Sequence, residues 1–164
     1  MSQSLIEALA ELDLFRGFDT ATLKAVMPIL KPLECPAGQP LFRQGDAGRT
    51  AFILLSGQMR IEVEAPTQGN LVVATAGSGE IVGEIALVDP GPRTATAIAV
   101  EPTSCVALTT DALKALERRR PDVVARMLLN LSRTISGRLR VLDVTLSRAM
   151  MAAGSATGGG RGVR

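Results

Sequence analysis

Residues 79–97 read Gly-Glu-Ile-Val-Gly-Glu-Ile-Ala-Leu-Val-Asp-Pro-Gly-Pro-Arg-Thr-Ala-Thr-Ala and hold the side chains best placed to do chemistry. Gly79 and Gly83 precede a carboxylate, Glu84; an Asp-Pro-Gly-Pro turn follows, and then one guanidinium, Arg93, beside the hydroxyls of Thr94 and Thr96. Glycine lets backbone come close to a ligand. Amides at the start of a short helix point at anions, and arginine meets phosphate as a two-pronged donor. A carboxylate beside a phosphate is useful when it accepts from a hydroxyl, as acidic residues do with ribose. The segment therefore suits one phosphate with a neighbouring diol.

Other chemistries are poorly supplied. The 164-residue chain has no His, which removes the usual general base and the usual metal ligand. Its two cysteines, Cys35 and Cys105, are too few for an iron–sulfur cluster and lie in apolar, strand-like segments, so buried free thiols are expected. No catalytic residue, metal site or cofactor is expected. No run of ~18 apolar residues is present to span a membrane. The start, Met-Ser-Gln-Ser-Leu-Ile-Glu, lacks a basic, apolar signal stretch, so a cytoplasmic location is expected. The chain is 46% apolar but only 2% aromatic, so its core must come from Val, Ile, Leu and Ala.

Charge is uneven although the total is only +2: residues 1–113 carry 7 basic and 13 acidic side chains, and 114–148 carry 9 and 3. A basic helix face can meet nucleic acid or a membrane surface. Without interleaved aromatics there is no base-stacking platform, and a solvated face is the favoured reading.

The elements that must position these residues follow from periodicity. Helices are expected over 4–12 and 20–30, with Leu5, Leu9 and Leu12 on one face and Leu23, Val26, Met27 and Leu30 on another. Asp19 is a candidate cap, and Pro28 should bend or shorten the second helix. Strands are expected at 32–36, 40–43, 50–56, 58–64, 70–76, 80–83, 93–100 and 103–109, the close spacing of an antiparallel barrel or sandwich. Gly38, Gly45, Gly57 and Gly79 read as turns, and Pro66 to Asn70 as a hairpin loop. Thr109 or Thr110 can cap a helix over 111–119, and Pro121 opens another to about 149.

In that last helix Leu128, Ile135 and Leu142 repeat with a heptad period, joined by Leu139 and Leu146 and interrupted by Ser132. The stripe either covers the β-layers or zips against a second copy. Three regions result: an N-terminal helical segment (1–31), a β-rich domain with C-terminal helices (32–149), and a Gly/Ala/Ser-rich tail (150–164) expected to be disordered.

Gly83-Glu84-Ile85-Ala86-Leu87 and Pro92-Arg93-Thr94-Ala95-Thr96 closely resemble the phosphate-binding cassette of cyclic nucleotide-binding domains. Phe42-Arg43-Gln44-Gly45-Asp46 and Ile53-Leu54-Leu55-Ser56-Gly57 extend the resemblance, which covers about 12–146. It implies an α+β, mainly β fold: an antiparallel β-roll (a double-stranded jelly roll, cupin-like) flanked by N-terminal helices and a long C-terminal helix. Glu84 would take the ribose 2′-hydroxyl and Arg93 the phosphate. Amides of Gly83, Ile85, Ala86 and Ala95 would complete the cradle, with Thr94 adding a hydroxyl.

Leu71, Val72 and Val73 are candidates to line the base pocket, and because strand side chains alternate, half of them should face away. The activator branch of the family carries base-contacting hydroxyls where a gapless match places Arg138 and Leu139. That is a departure, and Arg138 could instead stack on the base. Thr94 suits cyclic GMP, but bacterial cyclic AMP binders also carry Ser or Thr there; cyclic AMP is favoured.

The resemblance further implies a sensor that relays occupancy through the 121–149 helix, by pulling it against the roll, to a dimer interface or an effector protein. It does not extend to a DNA-binding domain, so no direct DNA contact is expected. The opposing reading is a degenerate domain that binds no nucleotide and serves assembly; retention of both Glu84 and Arg93 argues against it. A cyclic-nucleotide hydrolase would need metal ligands in His/Asp clusters that are missing.

Overall fold

The computed structural model describes residues 2–65 and 69–157. Helix α1 (Ser2–Ala10) leads through a 3-10 turn at Asp13–Phe15 to α2 (Thr20–Val26). The Asp19 side chain accepts from the Thr22 amide, which caps α2 as expected. Pro28 sits in a 3-10 turn, Met27–Ile29, so the second helix ends short of residue 30.

Among the described residues ten strands follow: β1 (Leu30–Cys35), β2 (Pro40–Phe42), β3 (Ala47–Gly48), β4 (Thr50–Ser56), β5 (Gln58–Ala65), β6 (Gly69–Gly77), β7 (Ile81–Val82), β8 (Gly91–Pro92), β9 (Thr96–Ala99) and β10 (Thr103–Thr109). A four-residue helix, α3 (Ile85–Val88), lies between β7 and β8. Helices α4 (Thr110–Glu117) and α5 (Pro121–Thr157) complete the order. Residues 66–68, the centre of the expected hairpin loop, lie outside the described residues.

Two antiparallel sheets form the roll, ordered β1-β10-β4-β7 and β2-β9-β5-β6, with a small β3-β8 ribbon beside them. The α+β class and the β-roll between helices are as expected. Strand β4 explains how the layers stack. Ala51 and Ile53 face one buried cluster, shared with the helices, while Phe52 and Leu54 face a second. Strand β10 does the same, with Val106 and Leu108 toward the helices and Cys105 toward the other cluster. Strands covered on both faces read as continuous apolar runs rather than alternating ones.

The thiols of Cys35 and Cys105 are free and buried. Burial first, then the proximity of Cys35 and Glu34, pushes the Cys105 thiol up to about 11. Neither is a ready nucleophile.

Helix α5 departs from expectation in two ways. It continues to Thr157, past the end expected near 149, so the first part of the presumed tail is helical; Met150, Met151, Ala152 and Ala153 are good helix formers. Residues 158–164 lie outside the described residues. The face that packs on the core is Val123, Val124, Met127 and Leu131, with Ile135 partly covered. Leu128 is 37% exposed, and Leu139 and Leu142 are 55% and 60% exposed, so the heptad stripe beyond Ile135 is not buried against the roll. The side chain of Leu146 lies outside the described residues.

Candidate functional site

The short β3-β8 ribbon places Arg93. Ala47 pairs with Pro92 and Gly48 with Gly91. The Arg93 amide donates to the Asp46 carbonyl at 2.8 Å, and the Arg93 carbonyl accepts from the Gly45 amide at 2.9 Å. With both sides clamped, the side chain turns inward, and Arg93 is 9% exposed. Its Nη2 donates to the Thr50 carbonyl at 2.7 Å and its Nη1 to the Gly83 carbonyl at 3.2 Å. Its Cζ lies 4.2 Å from the centroid of the Phe42 ring, a cation–π contact. Nε is enclosed with no hydrogen-bond partner among the described residues. Burial lowers the pKa of this guanidinium from its ordinary value, and Asp46 and Glu84 pull it back up; an arginine stays ionised in either case.

Gly83 holds the other side of the cassette. Its φ of +68° lies in the left-handed region, and a Cβ there would collide with Arg93 Nη1 and come within 3.3 Å of Phe42 Cε1. Only a glycine lets the chain pass so close to the arginine. Helix α3 starts immediately after, with Glu84 at its N-cap position but making no side-chain cap. The Ala86 amide of the expected cradle is directed to the Gly83 carbonyl at 3.3 Å.

Glu84 is 8% exposed, and its Oε1 accepts from Arg138 Nη1 at 2.6 Å. Arg138 Nη2 donates to the Ile81 carbonyl at 2.7 Å and lies 4.0 Å from Glu80 Oε1. The guanidinium expected to stack on a base is therefore bound to the carboxylate expected to meet the sugar.

These groups converge. A hollow of about 950 Å³ lies between the roll and α5, lined by Gly83, Glu84, Ile85, Ala86, Arg93, Thr94, Ala95, Val73 and Arg138. Val72 is not among its walls, nor is Leu71; both are about half exposed, as Val73 is, and the β5–β6 register shifts at Val73, so simple alternation does not divide these residues. Leu139 also lies off the hollow.

The hollow is also lined by residues that sequence reasoning gave no ligand role, among them Phe42, Ile61 and Thr75 from the roll and Arg133, Thr134, Val141 and Leu142 from α5. Thr134 was within reach of sequence reasoning, since it lies one turn before Arg138 on the same helix face. Phe42 stood at the end of an expected strand, with no local signal that it would lie against Arg93. Among the described residues no cluster of His, Cys, Asp or Glu could hold a metal, and no helix is long and apolar enough to cross a membrane.

Comparison with known proteins gives a consistent picture. Residues 32–120 match the family model for the cyclic nucleotide-binding domain. The CRP-like cAMP-activated global transcriptional regulator of Mycobacterium tuberculosis is 30% identical over 129 residues, 79% of this chain and 58% of that protein. The cyclic AMP receptor protein of Thermus thermophilus is 35% identical over 133 residues, 81% of this chain and 60% of that protein. The chain thus spans less than two thirds of the length of these curated relatives. Among solved structures, a cyclic nucleotide-binding domain from Methylobacillus flagellatus superposes with a TM-score of 0.80 at 26% identity, covering 89% of this chain and 83% of the other.

Proposed function

This chain belongs to the cyclic nucleotide-binding domain family, and from that premise we propose that it binds a cyclic mononucleotide, cyclic AMP in preference to cyclic GMP, between the roll and α5. The observation that carries this reading is the convergence of Glu84 and Arg93 on one hollow. A cyclic mononucleotide presents one negative charge, a 2′-hydroxyl and a flat base. Arg93, with its unpartnered Nε and its neighbouring amides, suits the charge; Glu84 suits the hydroxyl; Val73, Ile61 and Thr134 lie where a base would sit. Similarity to proteins named as cyclic AMP receptors supports that ligand. The module has no chemistry of its own in this reading. Occupancy passes through α5 to a second copy or to an effector protein, in the cytoplasm and without direct contact to DNA or membrane.

Calorimetric titration with cyclic AMP, cyclic GMP and 5′-AMP tests this reading. The cyclic nucleotides should bind and the linear one should not. Removing one side of a buried charged pairing costs ~2–5 kcal/mol. Arg93→Ala should then weaken cyclic AMP binding roughly 30-fold to several-thousand-fold at 1.4 kcal/mol per decade. Near-unchanged affinity in that variant would remove the reading.

One observation favours the alternative, an assembly module that has lost nucleotide binding: Glu84 and Arg93 already have partners within the protein. Absence of any cyclic-nucleotide binding by the intact chain would decide for it.

A further inference from the structure

We propose that Arg138 is a latch that competes with the ligand's 2′-hydroxyl for Glu84, so that nucleotide binding frees the distal half of α5 instead of recruiting it. The inference rests on the nucleotide-binding reading above and sets the direction of its switch. It is carried by two separate observations.

The first is the engagement of Glu84. Its side chain is only 11% exposed, and Oε1 is held by Arg138 at 2.6 Å. Both side chains line the hollow, so a hydroxyl reaching this carboxylate must enter the space into which Arg138 projects. A second donor, Nη2 to the Ile81 carbonyl, fixes the fork to the strand that leads into the cassette. A charge-assisted, two-pronged contact of this kind is directional and cannot slide aside without losing both bonds.

The second observation is how α5 is anchored. Its first half is fastened redundantly: Val123, Val124, Met127 and Leu131 are buried, and Asn130 Nδ2 donates to the carbonyls of Leu14 and Arg16. Beyond Ile135 no described residue of α5 is buried, and Leu139, Val141, Leu142 and Val144 are exposed. The hydrogen bond seen further along, Thr145 Oγ1 to the Val141 carbonyl, stays within the helix. Arg138 is therefore the last hydrogen-bonding tether between α5 and the roll among the described residues. A ligand moves an equilibrium only through its differential affinity for the two states. Here that difference is the pairing of Glu84 with a hydroxyl in one state and with Arg138 in the other.

The direction is testable because a latch and a ligand contact respond oppositely to the same substitution. In calorimetry with cyclic AMP, Arg138→Gln should bind about threefold to tenfold tighter than the parent, since a competitor for the carboxylate is removed. Equal or weaker binding overturns the latch. Hydrogen exchange supplies an independent arm. Without nucleotide, Arg138→Gln and Glu84→Gln should both speed exchange of amides over 139–145, and saturating cyclic AMP should do so in the parent chain. Unchanged or slower exchange in these samples overturns it. If the parent binds neither cyclic AMP nor cyclic GMP, the ligand reading falls. The tether is then judged on the nucleotide-free exchange of the two variants, where no acceleration also removes it.

Discussion

Arg93 and Gly83 set the geometry of the cassette together, at the scale of single atoms. The arginine gives its two terminal nitrogens to backbone carbonyls and rests on the Phe42 ring, so its direction is determined by the fold. One of those carbonyls belongs to Gly83, whose left-handed backbone and missing side chain permit the contact. Gly83→Ala meets both obstacles: an unfavourable φ and a methyl group where Arg93 Nη1 lies. The backbone strain alone is of order 1–3 kcal/mol. The variant should lose about that much stability in urea denaturation and bind cyclic AMP at least tenfold more weakly by calorimetry. A stable variant with parental affinity would show that the close approach is dispensable.

Among the elements, α4 couples the roll to α5 through a small number of contacts. It begins where β10 ends, with the Thr109 side chain accepting from the Ala112 amide at 3.1 Å. It buries Leu113 and Leu116 in the cluster that also holds Val123 and Met127 of α5. The cap satisfies an amide that has no partner within the helix. Thr109→Ala should cost about 0.5–2 kcal/mol in chemical denaturation, the usual range for a lost threonine cap. Cyclic AMP affinity should change little, because neither Thr109 nor α4 lines the hollow. A large loss of affinity with unchanged stability would place α4 in the site and contradict this division of labour.

Over the whole molecule, the two halves of α5 have different fates. The first half is a wall of the domain, while the second carries apolar side chains that the chain's own core leaves exposed. Burial of apolar surface stabilises by roughly 25 cal/mol per Å², so a run of this kind gains from meeting another apolar surface. In our reading that surface is the same run on a second copy, related by a two-fold axis. Sedimentation velocity should show a dimer of the full chain, and the double substitution Leu139→Asp with Leu142→Asp should yield a folded monomer whose melting temperature is lower than the dimer's and no longer depends on concentration. A parent chain that is monomeric at tens of micromolar would remove the dimer from the proposed relay.

Much of this was legible in local sequence, for local reasons. Glycine and proline mark turns by their own backbone preferences, so the β-rich middle and the shortened second helix could be read directly. Asp19 and Thr109 announce helix starts through bonds to amides a few residues away. The Glu84–Arg93 spacing belongs to one continuous segment, so the expectation of its chemistry could be formed from that segment alone. What required the tertiary structure is every relation between segments far apart in the chain. Phe42 reaches Arg93 only because sheets and ribbon close around them, and alternation along β6 could not reveal the register shift at Val73, the residue that lines the hollow where Val72 does not. Most of all, Arg138 takes Glu84 from the far end of the chain because a helix long enough to cross the hollow is anchored at Leu131 and Asn130. A charged side chain's type is written at its own position, but its partner is chosen by packing, and packing is a property of the whole chain.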